Sequence, residues 1–160
     1  MALSAKLTSL LVLQYATESH AAVAYRSFAM QLRALGMHAT AKHLRHESKG
    51  ERGHAELVAS YLEHRGADVT LPATEAAQRV SGPKDAAERV LSLEESVTAK
   101  LGAILMAAQS EGDVLTCEFV RPMIAEQIEE EDVARLLLAI VSASDDILSV
   151  DQEIAIKFGE

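Results

Sequence analysis

Two pairs of polar side chains, each separated by the same 33 residues, constrain this chain more than any other feature: Glu18 with Glu51, and Glu94 with Gln127. Each second member is followed three positions later by another metal-capable side chain, His54 after Glu51 and Glu130 after Gln127. All but His54, which sits beside its stripe, lie on stripes that are otherwise apolar. Leu7, Leu11, Gln14, Glu18, Ala22, Tyr25, Ala29 and Leu32 recur at steps of three and four, the period of one helix face. Leu44, Glu47, Glu51, Ala55, Val58 and Leu62 form a second such stripe. Val90, Leu91, Glu94, Val97, Leu101, Ile104 and Ala108 form a third, and Val120, Met123, Gln127, Glu130, Ala134, Leu137 and Val141 a fourth. A common offset around a tight turn puts both members of each pair at one height on antiparallel neighbours.

Punctuation along the chain sets the boundaries. The first helix runs from about Leu7 to a stop near Gly36, and the second from about Ala39 to Gly66. The third begins at Asp85. The fourth begins near Asp113, a natural N-cap, and is locally kinked at Pro122. A short fifth helix spans about Asp145 to Phe158. Between the hairpins lies a connection of about 18 residues, Gly66 to Pro83, with Val69, Thr70 and Leu71 as a short extended stretch. Fully extended it reaches roughly 55 Å, enough to run the length of a bundle of helices about 40 Å long. The expected fold is all-α: one domain over residues 1–160, a four-helix bundle with a long crossover and a C-terminal fifth helix. A hydrophobic content of 49% with only 4% aromatics and no Trp belongs to long packed helices rather than a β-sandwich.

Charge and cysteine usage exclude several classes. A net charge of −9 disfavours nucleic acid as a partner and favours cations. No apolar stretch is long enough for a membrane span, and the run Leu10 to Leu13 continues as a helical stripe rather than as a leader. A single Cys117, read as a small packed residue, rules out an internal disulfide and points to a reducing, cytoplasmic location. His38, His43 and His46 read as surface side chains.

Carboxylates on four converging apolar stripes require a cation among them, because an isolated buried charge is too costly to desolvate. A Glu-x-x-His turn aims two side chains to one side of a helix, and a glutamate from each neighbour completes a dinuclear shell. The carboxylates of Glu18, Glu51, Glu94 and Glu130 balance two Fe²⁺. Oxygen donors with one imidazole suit iron better than zinc.

These motifs resemble the ferritin family, specifically its haem-free prokaryotic members. The likeness rests on Gln14 with Glu18 and Tyr25, on Glu51-Arg52-Gly53-His54-Ala55-Glu56, on Arg65-Gly66, on Leu93-Glu94 and on Glu126-Gln127-Ile128-Glu129-Glu130-Glu131. The resemblance implies a 24-subunit cage in which a ferroxidase centre in each bundle oxidises two Fe²⁺ with O₂ or H₂O₂ and ferric mineral is stored. It implies one iron held by Glu18, Glu51 and His54 and another by Glu51, Glu94 and Glu130, with Gln127 close by and Glu51 bridging. Tyr25 resembles a tyrosine that hydrogen-bonds near the centre and can supply an electron. A third iron site in relatives uses a Glu where this chain has Gly50, leaving Glu47, Glu126 and Glu129 as its candidate ligands here. Bacterioferritins carry Glu and His at Gln127 and Glu130 and a haem-ligating Met at Arg52, so no haem is expected. Relatives often have Trp at Pro122, and the start of the fourth helix carries a mixed Glu118 and Arg121. The competing expectations are a stand-alone diiron peroxidase or oxidase without a cavity, and a non-catalytic helical assembly protein. A rubrerythrin lacks support, since paired cysteines are missing.

Overall fold

The structure, a computed structural model, describes residues 2–159. Within them lie five helices and no strand: α1 (Ala5–Ala34), α2 (His38–His64), α3 (Pro83–Glu111), α4 (Val114–Ser142) and α5 (Ile147–Phe158). The four long helices form the ferritin-like bundle, and α5 is the short C-terminal addition.

Local chemistry explains the helix ends. Ser4 Oγ accepts from the Leu7 N–H at 3.1 Å and starts α1 ahead of its apolar stripe. Asp113 caps α4 through the Thr116 N–H, and Asp146 caps α5 through the Leu148 N–H. Helix α3 begins at Pro83, not at Asp85, because proline fits the first helical turn, where its missing N–H has no partner to lose. The turns after α1 and α2 place Gly36 at φ +91° and Gly66 at φ +70°, where any Cβ would be strained. Helix α4 continues through the exposed Pro122.

Helix α1 packs along α2 and α3, α3 along α4, and α5 against α2 and α4. The α2 and α4 backbones make no such close approach; long side chains bridge them instead. Tyr61 stacks on Phe119 with ring centroids 3.8 Å apart, and Arg65 Nη2 meets Asp113 Oδ2 at 2.8 Å. His43 corrects the expectation of a surface side chain: it stacks on Phe158 of α5 at 4.4 Å, and burial pushes its pKa down to about 4. Cys117 is buried as a small packed residue.

The apolar interior falls into two clusters. One gathers Tyr25, Phe28, Leu32, Leu44, Leu137 and Ile154; the other gathers Leu7, Leu11, Val58, Leu62, Leu101 and Ile104. Along each long helix, the buried Gln14, Glu18, Glu51, Glu94 and Gln127 fall between the stretches that feed these clusters. The crossover packs Ala67 and Val69 on one cluster and Ala77 and Val80 on the other, so it spans the bundle as its reach implies. It contains no strand, and Val69 to Leu71 stay irregular. No helix among the described residues is long and apolar enough to cross a membrane.

Candidate metal centre

Glu18, Glu51 and His54 make the tightest group: one ligand atom from each lies within 4.8 Å of the others. The i, i+3 spacing on α2 turns Glu51 and His54 to one side, and α1 brings Glu18 to the matching height. One turn before Glu18, Gln14 Nε2 donates to Glu18 Oε1 at 2.7 Å, while Oε2 is fully buried with no donor of its own beside the acidic Glu51. An orphaned carboxylate oxygen in a dry interior is unfavourable, and a divalent cation is a partner that fits it. His54 Nδ1 is 3.4 Å from Glu51 Oε2, and its Nε2 is 3.4 Å from Glu126 Oε2.

On the other side of the layer Glu94 has both oxygens occupied. The Tyr25 hydroxyl donates to Oε1, and Gln127 Nε2 donates to Oε2 at 3.1 Å. Gln127 is itself steadied by Thr98 Oγ1 at 3.4 Å, and the Thr98 hydroxyl donates to Glu131 Oε1 at 2.6 Å. Glu130 of α4 is partly buried and lies near enough to Glu47 of α2 for each to influence the other's titration across the α2–α4 gap. Glu129 is exposed.

Crowded acids in a dry layer hold their protons. Burial, reinforced by the neighbouring Glu51, pushes the Glu18 carboxyl up to about 9. Burial and the charges of Glu94, Glu130 and Glu47 hold Glu51 up at about 8. Glu130 rises to about 7 through burial and then the charges of Glu47 and Glu94, and burial also raises Glu47. Burial, with the charge of Glu94 next, lifts the Tyr25 phenol well above its ordinary value. A bound cation would offset all of these shifts at once. The donor set, carboxylates with one imidazole and no thiolate, suits iron.

A family model for the ferritin-like domain matches residues 8–142. The chain belongs to the ferritin family. Ferritins as a group store iron. Among similar proteins, this ferritin is 29% identical to Ferritin BfrB of Mycolicibacterium smegmatis over 140 residues, which cover 87% of this chain and 77% of the relative. It is 28% identical to Ferritin BfrB of Mycobacterium tuberculosis, over 84% of this chain and 75% of that one. In three dimensions it is similar to an open pore ferritin from the hyperthermophilic archaeon Archaeoglobus fulgidus, with a TM-score of 0.89, 27% identity, and coverage of 97% and 98% of the two chains.

Thr98 and Glu131 of this ferritin escape a sequence-only reading, because partly exposed polar residues on helix flanks look like any solvated surface. A signal was nevertheless there: they are separated by the same 33 residues as Glu94 and Gln127.

Proposed function

We propose that this ferritin binds two Fe²⁺ per subunit within its polar layer and oxidises them with O₂ or H₂O₂ in a cytoplasmic cage of 24 subunits that stores the ferric product. The observation that carries this reading is the convergence of Glu18, Glu51, His54, Glu94 and Gln127 from four helices in one buried layer, with Glu130 and Glu47 at its edge. Glu18, Glu51 and His54 hold one iron. Glu51, Glu94 and Glu130 hold the other, with Gln127 beside it and Glu51 bridging. Two Fe²⁺ supply two electrons, which with two protons reduce O₂ to H₂O₂ or H₂O₂ to two waters. Four carboxylates keep the loaded site near neutral, so a dry interior can accept the charge. Tyr25, donating to Glu94, is positioned to supply a further electron. Glu47, against Glu130, and Glu126, against His54, extend the centre toward the α2–α4 gap, with Glu129 farther out as the remaining candidate for a third iron. Haem plays no part in this reading, and Arg52 is exposed.

Aerobic addition of Fe²⁺ to apoprotein, followed by near-ultraviolet absorbance, tests the chemistry. Glu18→Ala and His54→Ala should slow oxidation at least about tenfold, the scale of a lost ligand contact. Wild-type rates in both variants would overturn the assignment. Gel filtration tests storage: elution at the size of 24 copies of the 17.2 kDa chain supports the cage, and a monomer or dimer with intact oxidation leaves a stand-alone oxidase.

A further inference from the structure

Inside the bundle, the hydrogen bonds that reach Glu94 continue through α4 and back to α3. Gln127, only 3% exposed, directs its side-chain N–H groups at Glu94 Oε2 at 3.1 Å, the Glu94 carbonyl at 3.3 Å and Thr98 Oγ1 at 3.4 Å. Thr98 stands one turn after Glu94 on α3, and Glu131 one turn after Gln127 on α4. The Thr98 hydroxyl donates to Glu131 Oε1 at 2.6 Å, and Arg135 donates to Glu131 Oε2. Glu131, its side chain only 17% exposed, therefore has both oxygens engaged.

Counting protons fixes how the Gln127 amide stands. A hydroxyl has a single proton to give, and Thr98 gives it to Glu131. Toward Gln127 the Thr98 oxygen can then only accept, so only the NH₂ end of the amide can face it. Turning the amide over would set its carbonyl oxygen against Thr98 Oγ1 and Glu94 Oε2, acceptors facing an acceptor in a dry layer. Without Glu131 the Thr98 proton would be free to turn to the amide carbonyl, and the preference would weaken. Tyr25, the other donor to Glu94, is held differently: its hydroxyl has a second acceptor within reach, the Val90 carbonyl at 3.4 Å.

We infer that Thr98 and Glu131 are positioning residues for the second metal. Through Gln127 they hold Glu94 Oε2, so that an entering ion takes Oε1 while the Tyr25 hydroxyl swings to the Val90 carbonyl. Gln127 then acts as a fixed donor to Glu94 and not as a ligand. This rests on the two-iron reading proposed above and names the residues that orient its second half.

Anaerobic calorimetric titration of metal-free, full-length protein with Fe²⁺ separates the two levels, since binding is read without oxidation. Thr98→Val, close to isosteric, should weaken the second binding step at least about fivefold, the scale of one lost buried hydrogen bond, and leave the first unchanged. Thr98→Ser should restore the second step. Glu131→Leu should weaken it as Thr98→Val does, whereas Glu131→Gln, whose carbonyl still accepts from Thr98, should keep it. In crystals of metal-free Thr98→Val, Gln127 should part from Glu94 Oε2. The inference falls if Thr98→Val and Glu131→Leu titrate like wild type, or if that contact persists in the crystal. It falls too if both steps weaken equally, or if Thr98→Ser binds as poorly as Thr98→Val, since either marks lost packing. A wild-type protein with no second step overturns the two-iron reading itself, and the inference with it.

Discussion

Glu94 and Glu18 would meet a metal on unequal terms. Glu94 has both oxygens engaged, by Tyr25 and Gln127, while Glu18 keeps Oε2 unpartnered. On the Glu18, Glu51 and His54 side a cation would displace only carboxyl protons, whereas on the Glu94 side it would also displace a hydrogen bond, a cost of about 1 kcal/mol. Anaerobic Fe²⁺ titration by calorimetry should therefore resolve two steps, the first several-fold tighter; two equal sites would contradict this asymmetry. Tyr25→Phe should narrow the gap and slow oxidation, while lowering apoprotein stability by about 1 kcal/mol for the lost buried hydrogen bond. Glu18→Gln should do the reverse to the apoprotein at pH 8.5: it removes a buried acid that resists ionisation, so the melting temperature rises while iron oxidation collapses. The residues of this layer were legible because charge on an apolar stripe is conspicuous. The bond from Tyr25 to Glu94 joins residues 69 apart and emerges only from the packing of α1 on α3.

Helix α5 shows what periodicity leaves out at the scale of an element. Helix α2 has no side-chain cap of its own. Its first N–H groups donate instead to Asp151 of α5, Ala39 at 3.0 Å and Thr40 at 2.8 Å, and the Thr40 hydroxyl adds a third bond at 2.7 Å. Asp151 thus caps one helix from another, 111 residues away for Thr40, so a search for local cap motifs around Met37 finds nothing. Helix lengths, the glycine turns and the crossover were readable, since each depends on neighbours in sequence. Asp151→Ala should cost about 1–2 kcal/mol, the value of a good cap, and loosen α5. The pH dependence fixes the sign. Burial raises the Asp151 carboxyl, but the Thr40 and Ala39 N–H groups outweigh it and hold the pKa below 3.8. That stabilisation is present above the unfolded pKa and lost as pH falls through the folded one. Melting curves of wild type and variant should differ at pH 6 and draw together as pH falls through the lowered folded pKa.

For the whole molecule the acids of the polar layer act in the opposite direction. Glu18, Glu51 and Glu130 have folded pKa values raised to about 9, 8 and 7 from 4.5. Their contribution to stability is full below the unfolded pKa and is lost as pH rises through the folded values. The melting temperature of apoprotein should fall steadily from pH 5.5 to 9. Anaerobic Fe²⁺ should raise it, more at pH 8.5 than at pH 6, because binding needs the deprotonated ligands. A melting temperature independent of pH, or a larger iron effect at low pH, would contradict this account. The same layer has a further meaning for cooperativity. Among the described residues it separates two apolar clusters, both of which the four long helices and the crossover feed. Without metal, that polar layer interrupts the apolar packing, and amide exchange should reveal the α5 end and the α1 N-terminal end opening with different free energies. In the proposed reading, two irons held from all four helices would tie the halves together, and exchange protection should merge into a single value. Iron would then govern whether the bundle behaves as two small folding units or as one.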